Sequence, residues 1–246
     1  MFYTSYLLAE HNVKAVFTDK LGGCSEAPFD SLNLGFDLGD LRLNVEKNLN
    51  LFCVEAGFPM PHQAKQAHGS QVLVCDGEGG THDDEADILV TTLPNVALAV
   101  RTADCVPILL ADQRNQVIAA VHAGWKGTVA QVAQKAVVTM CEFGALPKQI
   151  VASIGPSICG DCFEVNQSIV NQLNASCNED VSKHDGDRIY ANLLRTNMLQ
   201  LQNVGLQQCH IEASKACTVC ASKPPYFSYR RDQGETGRQL ATIMMG

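Results

Sequence analysis

The sequence has no apolar run near the roughly 20 residues that a membrane-crossing helix needs. Its longest, Val106 to Ala111 and Val117 to Val121, have the length of buried strands. The first residues, Met1-Phe2-Tyr3-Thr4-Ser5, lack the basic and apolar regions of a secretory signal. Positive charge is in deficit: 18 Lys and Arg against 26 Asp and Glu leave a net charge of −8. That balance excludes the basic footprint by which proteins bind nucleic acid or anionic lipid. Any bound phosphate must therefore be held by a local cluster of donors. No internal repeat is visible, and no linker divides the chain.

Cysteine, in contrast, is plentiful. The 11 cysteines are odd in number and spread from Cys24 to Cys220. Without a secretory start, that pattern points to reduced thiols in a cytoplasmic protein rather than to a disulfide scaffold.

With 246 residues, 46% apolar and 18% charged, the chain has a globular composition. One α/β domain spanning 1–246 is expected, with sheet layers inside and helices outside. Val13 to Thr18, Gln71 to Cys75, Ile88 to Thr91, Gln149 to Ile154 and Gln208 to Ala213 read as strands. Val96 to Val100, Val106 to Leu110 and Val117 to Val121 are apolar without alternation, as strands covered on both faces are. Asn44 to Ala56, Gln167 to Leu173 and Tyr190 to Val204 read as helices. So does the segment from a Thr128 cap through Val129, Val132, Ala133, Ala136, Val137 and Met140. Asp30 to Asp40 and Asp76 to Asp87 read as polar loops, and Pro224 to Gly237 as a polar tail.

Three segments place a metal-binding side chain beside a predicted strand: Gln66-Ala67-His68-Gly69, Thr102-Ala103-Asp104-Cys105 and Val121-His122-Ala123-Gly124-Trp125. Two histidines and a cysteine suit zinc with one coordination position open. Taken singly, His68 reads equally as a loop histidine, Cys105 as a small buried hydrophobe and His122 as a satisfied core residue. Cys159-x-x-Cys162 and Cys217-x-x-Cys220 could make an all-cysteine zinc site or a redox couple. The gap between them exceeds that of compact zinc ribbons, so they are expected to be incidental. Gly124-Trp125-Lys126-Gly127-Thr128 runs from strand to helix and offers an anion site, with Lys126 adding charge. Arg230, Arg231 and Arg238 could clamp a phosphate or simply form surface ion pairs. Asp104 could move protons or orient a ligand histidine, or form a turn. Asp161 and Glu164 are weaker candidates of the same kind. Trp125, the only tryptophan, could stack on a flat ring or anchor the core.

These segments, together with Ser31-Leu32-Asn33-Leu34-Gly35, Gly155-Pro156-Ser157-Ile158 and Phe227-Ser228-Tyr229-Arg230-Arg231-Asp232, resemble the bacterial YfiH/YlmD-type proteins. These were long called multicopper polyphenol oxidoreductase laccases and are now treated as purine nucleoside phosphorylases. The resemblance covers nearly the whole chain. It implies a layered α/β/β/α sandwich, similar to the catalytic domain of the cytotoxic necrotizing factor toxins. It implies metal ligands at His68, Cys105 and His122. Asp104, Cys105 and His122 are the catalytic candidates, and Asn33, Lys126, Arg230 and Arg231 the candidates for phosphate or substrate binding. The resemblance also implies phosphorolysis of adenosine, guanosine or inosine and methylthioadenosine, adenosine deamination, and a zinc cofactor with copper as the alternative. Partners would be purine nucleosides and phosphate, on a monomer or homodimer. Three positions depart from the family pattern: Lys20 and Lys126 stand where arginine is common, and Leu49 follows Asn48 where an arginine is usual.

Other functions compete. A copper oxidase acting on phenols needs many histidines, and the chain has 7, with no His-x-His pair. A metal-free cysteine hydrolase would use Cys105 as nucleophile and His122 as base. A non-enzymatic binding module would turn over no nucleoside.

Overall fold

The unbroken apolar runs in the middle of the chain become neighbouring strands, because only a sheet covered on both faces can bury such side chains. In the computed structural model, which describes residues 1–246, they are Ala97–Thr102, Val106–Asp112 and Val117–Ala123. The last two form an antiparallel pair with Val106 opposite Ala123 and Pro107 opposite His122. They are central in a six-stranded sheet ordered Ile211–Ala213, Val151–Ile154, Val106–Asp112, Val117–Ala123, Ile88–Thr91, Val72–Val74. The two outermost pairs are parallel and the inner pairs antiparallel. Ala97–Thr102 belongs to a second, four-stranded sheet, ordered Phe2–Thr4, Val13–Thr18, Gln239–Met245, Ala97–Thr102.

The buried residues separate into three layers of contact. Between the sheets, Phe17, Leu98, Val100 and Ile243 meet Leu89, Leu109, Ile118 and Ala120. The outer face of the four-stranded sheet, with Val16, Ala97, Ala99 and Leu240, is covered by Leu49, Phe52 and Cys53 of helix Arg42–Ala56. The outer face of the six-stranded sheet, with Val106, Ile108, Leu110 and Ala119, is covered by Val132, Ala136 and Met140 of helix Val132–Glu142. Helices Gln167–Cys177 and Leu193–Asn203 pack beside it. Small side chains at Ala97, Ala99 and Ala119 let these layers approach closely. The result is a mixed α/β fold with helices outside two packed sheets.

Several elements differ from the sequence expectations, each for a physical reason. The expected single helix from Thr128 is two helices, Trp125–Val129 and Val132–Glu142, broken where Gln131 adopts φ 58°. Thr128 is no cap: it is fully buried, and its hydroxyl accepts a hydrogen bond from Asn197 Nδ2 at 3.0 Å. The helix expected from Tyr190 begins at Leu193, because Arg188–Ala191 pairs as a strand with Ser182–Asp185. The polar loop before Asp87 contains the strand Thr81–Glu85, parallel to Gln63–Lys65. The polar tail is anchored rather than solvated. Tyr226, Phe227 and Ser228 are buried, and Phe227 exchanges hydrogen bonds of 2.9 and 3.0 Å with the Gln239 amide. That exchange leads the chain into Gln239–Met245, a strand the sequence reading omits.

Ile243 lies between the two sheets with no exposure. Ile243→Ala is expected to cost roughly 2–5 kcal/mol in urea denaturation. Val138, on the outer helix, is 53% exposed, and Val138→Ala should stay within about 0.5 kcal/mol of the parent.

Candidate active site

His122 is near the end of strand Val117–Ala123, and Cys105 immediately precedes strand Val106–Asp112. Because Val106 pairs with Ala123, the antiparallel register sets the two side chains next to each other. His68 arrives from the loop after Gln63–Lys65. That loop is tied down at two points. The Gln66 amide exchanges hydrogen bonds with the Arg101 backbone, at 2.7 and 2.8 Å. Asp87, fully buried, accepts from the backbone N–H groups of Ala67, His68 and Gly69 at 3.3, 3.1 and 2.6 Å. The same carboxylate accepts from His122 Nδ1 at 2.7 Å, which leaves Nε2 free to act as a ligand.

The structure thus brings the expected trio together. The donor atoms of His68, Cys105 and His122 all lie within 4.8 Å of one another, and the two imidazoles meet edge to face with centroids 4.8 Å apart. Such a cluster can close on one ion at about 2.0–2.3 Å per ligand. His122 is buried, Cys105 half-buried and His68 exposed, so the cluster opens to one side. Gly124 explains how the three fit: a Cβ there would sit 2.8 Å from His68 Cδ2 and 3.1 Å from Cys105 Sγ.

One of these donors and the neighbour of another hold left-handed backbone, His68 at φ 59° and Asp104 at φ 90°. Such conformations cost about 1–3 kcal/mol each and persist where surrounding contacts enforce them. Asp104 has those contacts. Its carboxylate accepts from Thr218 Oγ1 at 2.6 Å and from Arg230 N–H at 2.7 Å, and its carbonyl accepts from Ile158 N–H at 2.9 Å. With both oxygens engaged, Asp104 ties the Cys105 turn to the Arg230 loop.

Burial alone would raise the Cys105 thiol, but the His122 and His68 imidazoles outweigh it and bring it down to about 6. Burial would lower His122, yet the Cys105 thiolate and the Asp87 carboxylate push it up to about 9. Burial would likewise raise Asp87, and His122 with the loop N–H groups holds it below its usual value. Both shifts favour a thiolate beside an imidazolium. A metal ion would take the place of the imidazolium proton. A ready thiolate with two imidazoles fits zinc, and the softness of that set also admits copper.

The trio lines a cavity of about 940 Å³, within the range of small-molecule sites. Asp104, Trp125, Lys126, Glu164 and Arg230 line it too. Arg230 lies over the Phe163 ring at 5.4 Å and donates to Glu164 O at 3.2 Å. Two expected phosphate binders are not in the lining. Asn33 is fully buried, its side chain satisfying Gly35, Asp40 and Arg238 N–H. Arg231 turns inward to Asp232 and to the carbonyls of Thr218 and Tyr226. Asp161 pairs with Lys183 at the surface. The expected strand-to-helix anion site is weakened, since the helix after Gly124 has only five residues.

The sequence reading missed Arg101, Asp87 and the pairing of Arg101 with Arg238. Both arginines line the cavity. Arg101 donates to Ala64 O, and Arg238 to Thr236 O and Gly237 O. Burial holds each guanidinium below its ordinary value, and Arg238 adds repulsion on Arg101. Two half-buried cations facing one space make an anion-binding wall.

The two cysteine pairs also require correction. Cys159, Cys162, Cys217 and Cys220 converge, with sulfurs within 4.8 Å of one another. The long gap is closed because Val151–Ile154 and Ile211–Ala213 are adjacent parallel strands, so the loops that follow them emerge side by side.

The family model described as multi-copper polyphenol oxidoreductase laccase matches residues 14–246. The chain belongs to this family. A Deinococcus radiodurans protein named purine nucleoside phosphorylase is 38% identical over 234 residues, 94% of this chain and 88% of that protein. The Shigella flexneri purine nucleoside phosphorylase YfiH is 35% identical over 237 residues, 95% of this chain and 94% of its own length. Among solved structures, YlmD from Geobacillus stearothermophilus superposes with a TM-score of 0.89 at 30% identity, covering 98% of this chain and 94% of that one. Bacillus licheniformis YfiH gives 0.87 at 29%, covering 95% and 93%. Enzymes named purine nucleoside phosphorylase thus recur among full-length relatives.

Gly124→Ala tests the packing of the trio. Its φ of −72° suits alanine, so the variant should fold while losing about 10–100-fold in metal affinity, read by competition with a chromogenic chelator. In metal-stripped protein, alkylation of Cys105 should rise with pH around a midpoint near 6 rather than the ordinary 9.0, followed by peptide mass spectrometry. In His122→Ala the midpoint should move upward.

Proposed function

We propose that this chain is a purine nucleoside phosphorylase with adenosine deaminase activity, and that His68, Cys105 and His122 hold its zinc ion. One observation carries the reading: in an acidic chain, three convergent metal donors and the cations Arg101, Lys126, Arg230 and Arg238 line the same cavity. The relatives named purine nucleoside phosphorylase support it.

In phosphorolysis, a phosphate oxygen bonds to C1′ as the C1′–N9 bond breaks, and its electron pair leaves with the purine, which takes up a proton. Arg101 and Arg238 are suited to hold the phosphate dianion, since an anion between them relieves their mutual repulsion. Arg230, on the Phe163 ring, adds charge from the opposite segment. Phe36, Trp125 and Tyr229 also line the cavity and offer flat faces to the base. Bound by the trio, zinc supplies a Lewis acid able to activate water at neutral pH or to offset developing negative charge. Asp87 keeps His122 and the His68 loop in place, and Asp104 keeps the Arg230 loop in place. No helix is long and apolar enough to cross a membrane, and the free cysteines suit the reducing cytoplasm.

A second reading is favoured by the Cys105–His122–Asp87 chain: a thiolate, an imidazolium and an orienting carboxylate can serve a metal-free cysteine hydrolase, the chemistry that the toxin resemblance suggests.

The test is turnover of adenosine with chromatographic detection of adenine plus ribose 1-phosphate and of inosine. Zinc-loaded protein should form both sets of products, and chelation should abolish them. Full activity of stripped protein, sensitive to alkylation, favours the hydrolase. Phenol oxidation confined to copper-loaded protein favours the laccase reading. Arg101→Ala should raise the KM for phosphate at least about tenfold, equivalent to about 1.4 kcal/mol. It should change deamination, which consumes no phosphate, far less. Equal loss of both activities would contradict the assigned phosphate role.

A further inference from the structure

Away from the nucleoside cavity, four free cysteines form a cluster of their own. Every Sγ of Cys159, Cys162, Cys217 and Cys220 lies within 4.8 Å of the others. They stand on two tight turns. In the first, the N–H groups of Cys162 and Phe163 both donate to Cys159 O, at 3.0 and 3.1 Å. In the second, Ala221 N–H donates to Cys217 O at 2.9 Å. Each turn puts both of its sulfurs on the same side. The turns are fastened together by Thr218 N–H donating to Ser157 O at 3.1 Å. Cys159 N–H also donates to Cys217 Sγ at 3.3 Å, a contact that stabilises a thiolate.

We propose that Cys159, Cys162, Cys217 and Cys220 bind one structural zinc ion as four thiolates, at a site separate from the His68, Cys105 and His122 cluster. Zinc at about 2.3 Å from each sulfur sets the sulfurs about 3.8 Å apart, so the present cluster needs to contract only modestly. Four protein ligands leave no open position, which is the arrangement of a structural rather than a catalytic zinc. Cys217 is buried, Cys159 and Cys162 are half-buried and Cys220 is exposed, which gives the ion an entry side. On binding, any proton still on a sulfur is released to solvent.

The clip would join two segments that serve the cavity. The first pair precedes Phe163 and Glu164, and Cys162 O and Glu164 O both accept from the Arg230 guanidinium, at 3.5 and 3.2 Å. The second pair flanks Thr218, whose hydroxyl donates to Asp104 and whose carbonyl accepts from Arg231 at 2.9 Å. Zinc here would fix the floor of Arg230 and the support of Asp104 in one piece.

Metal analysis of the full-length His68→Ala/Cys105→Ala protein, purified with reductant, separates this site from the cavity. It should keep about one zinc equivalent in this cluster, and adding Cys220→Ser or Cys162→Ser should remove about one equivalent. Cobalt(II) exchange in the same double variant should give sulfur-to-metal charge transfer and the intense d–d bands of tetrahedral four-thiolate coordination. That readout needs no change to the cluster, so it stands if the serine variants fail to fold. The proposal is overturned by zinc content indifferent to the cysteine substitutions, or by a cobalt spectrum without thiolate bands. Recovery of these cysteines as disulfides after denaturing thiol trapping, or iron in place of zinc, would overturn it equally.

Discussion

The candidate active site depends on one buried carboxylate. Asp87 is fully enclosed and accepts hydrogen bonds from three successive backbone N–H groups of the His68 loop and from His122. A buried charge persists only where enough donors replace its water shell. Here those donors are the loop and the histidine that the site needs in place. Removing the carboxylate would leave the loop amides unpaired and His122 without its orienting partner, so the same contacts serve folding and chemistry. The left-handed backbone of His68 is one consequence, since the loop must turn sharply to present three N–H groups to one acceptor.

Electrostatics divides the cavity in two. At one wall, mutual stabilisation of Cys105 and His122 lowers the thiol and raises the imidazole, which prepares a soft, negatively charged ligand. At the other, Arg101 and Arg238 face the space with only backbone carbonyls as acceptors. An acidic protein repels phosphate at long range, so its affinity must come from such short-range, desolvated contacts.

Some of this was legible in the amino-acid order. The runs at Val106 and Val117 announced buried strands because no polar residue interrupts them, and Cys105 and His122 stood out because each adjoins such a run, whereas His68 had only a nearby predicted strand. Asp87 carried no signal: it closes an acidic loop and looks solvated until the loop folds over it. Arg101 resembled a mere end to an apolar run. Asn33 and Arg231 sit in recognisable motifs, yet their side chains are consumed by local hydrogen bonds, a distinction motif spacing does not encode. The cysteine pairs looked unrelated because their meeting depends on two parallel strands being neighbours, which is a property of topology and not of separation along the chain. The last strand was hidden behind a polar segment whose aromatic residues prove to be its anchor.

The most direct measurement of the central claim is the zinc affinity of the Asp87→Asn protein at the His68, Cys105 and His122 site, compared with the parent by competitive chelation. The substitution keeps the shape of the side chain but removes its charge. The account predicts a folded protein that binds zinc there about 10–100-fold more weakly. Unchanged affinity in that variant would contradict it.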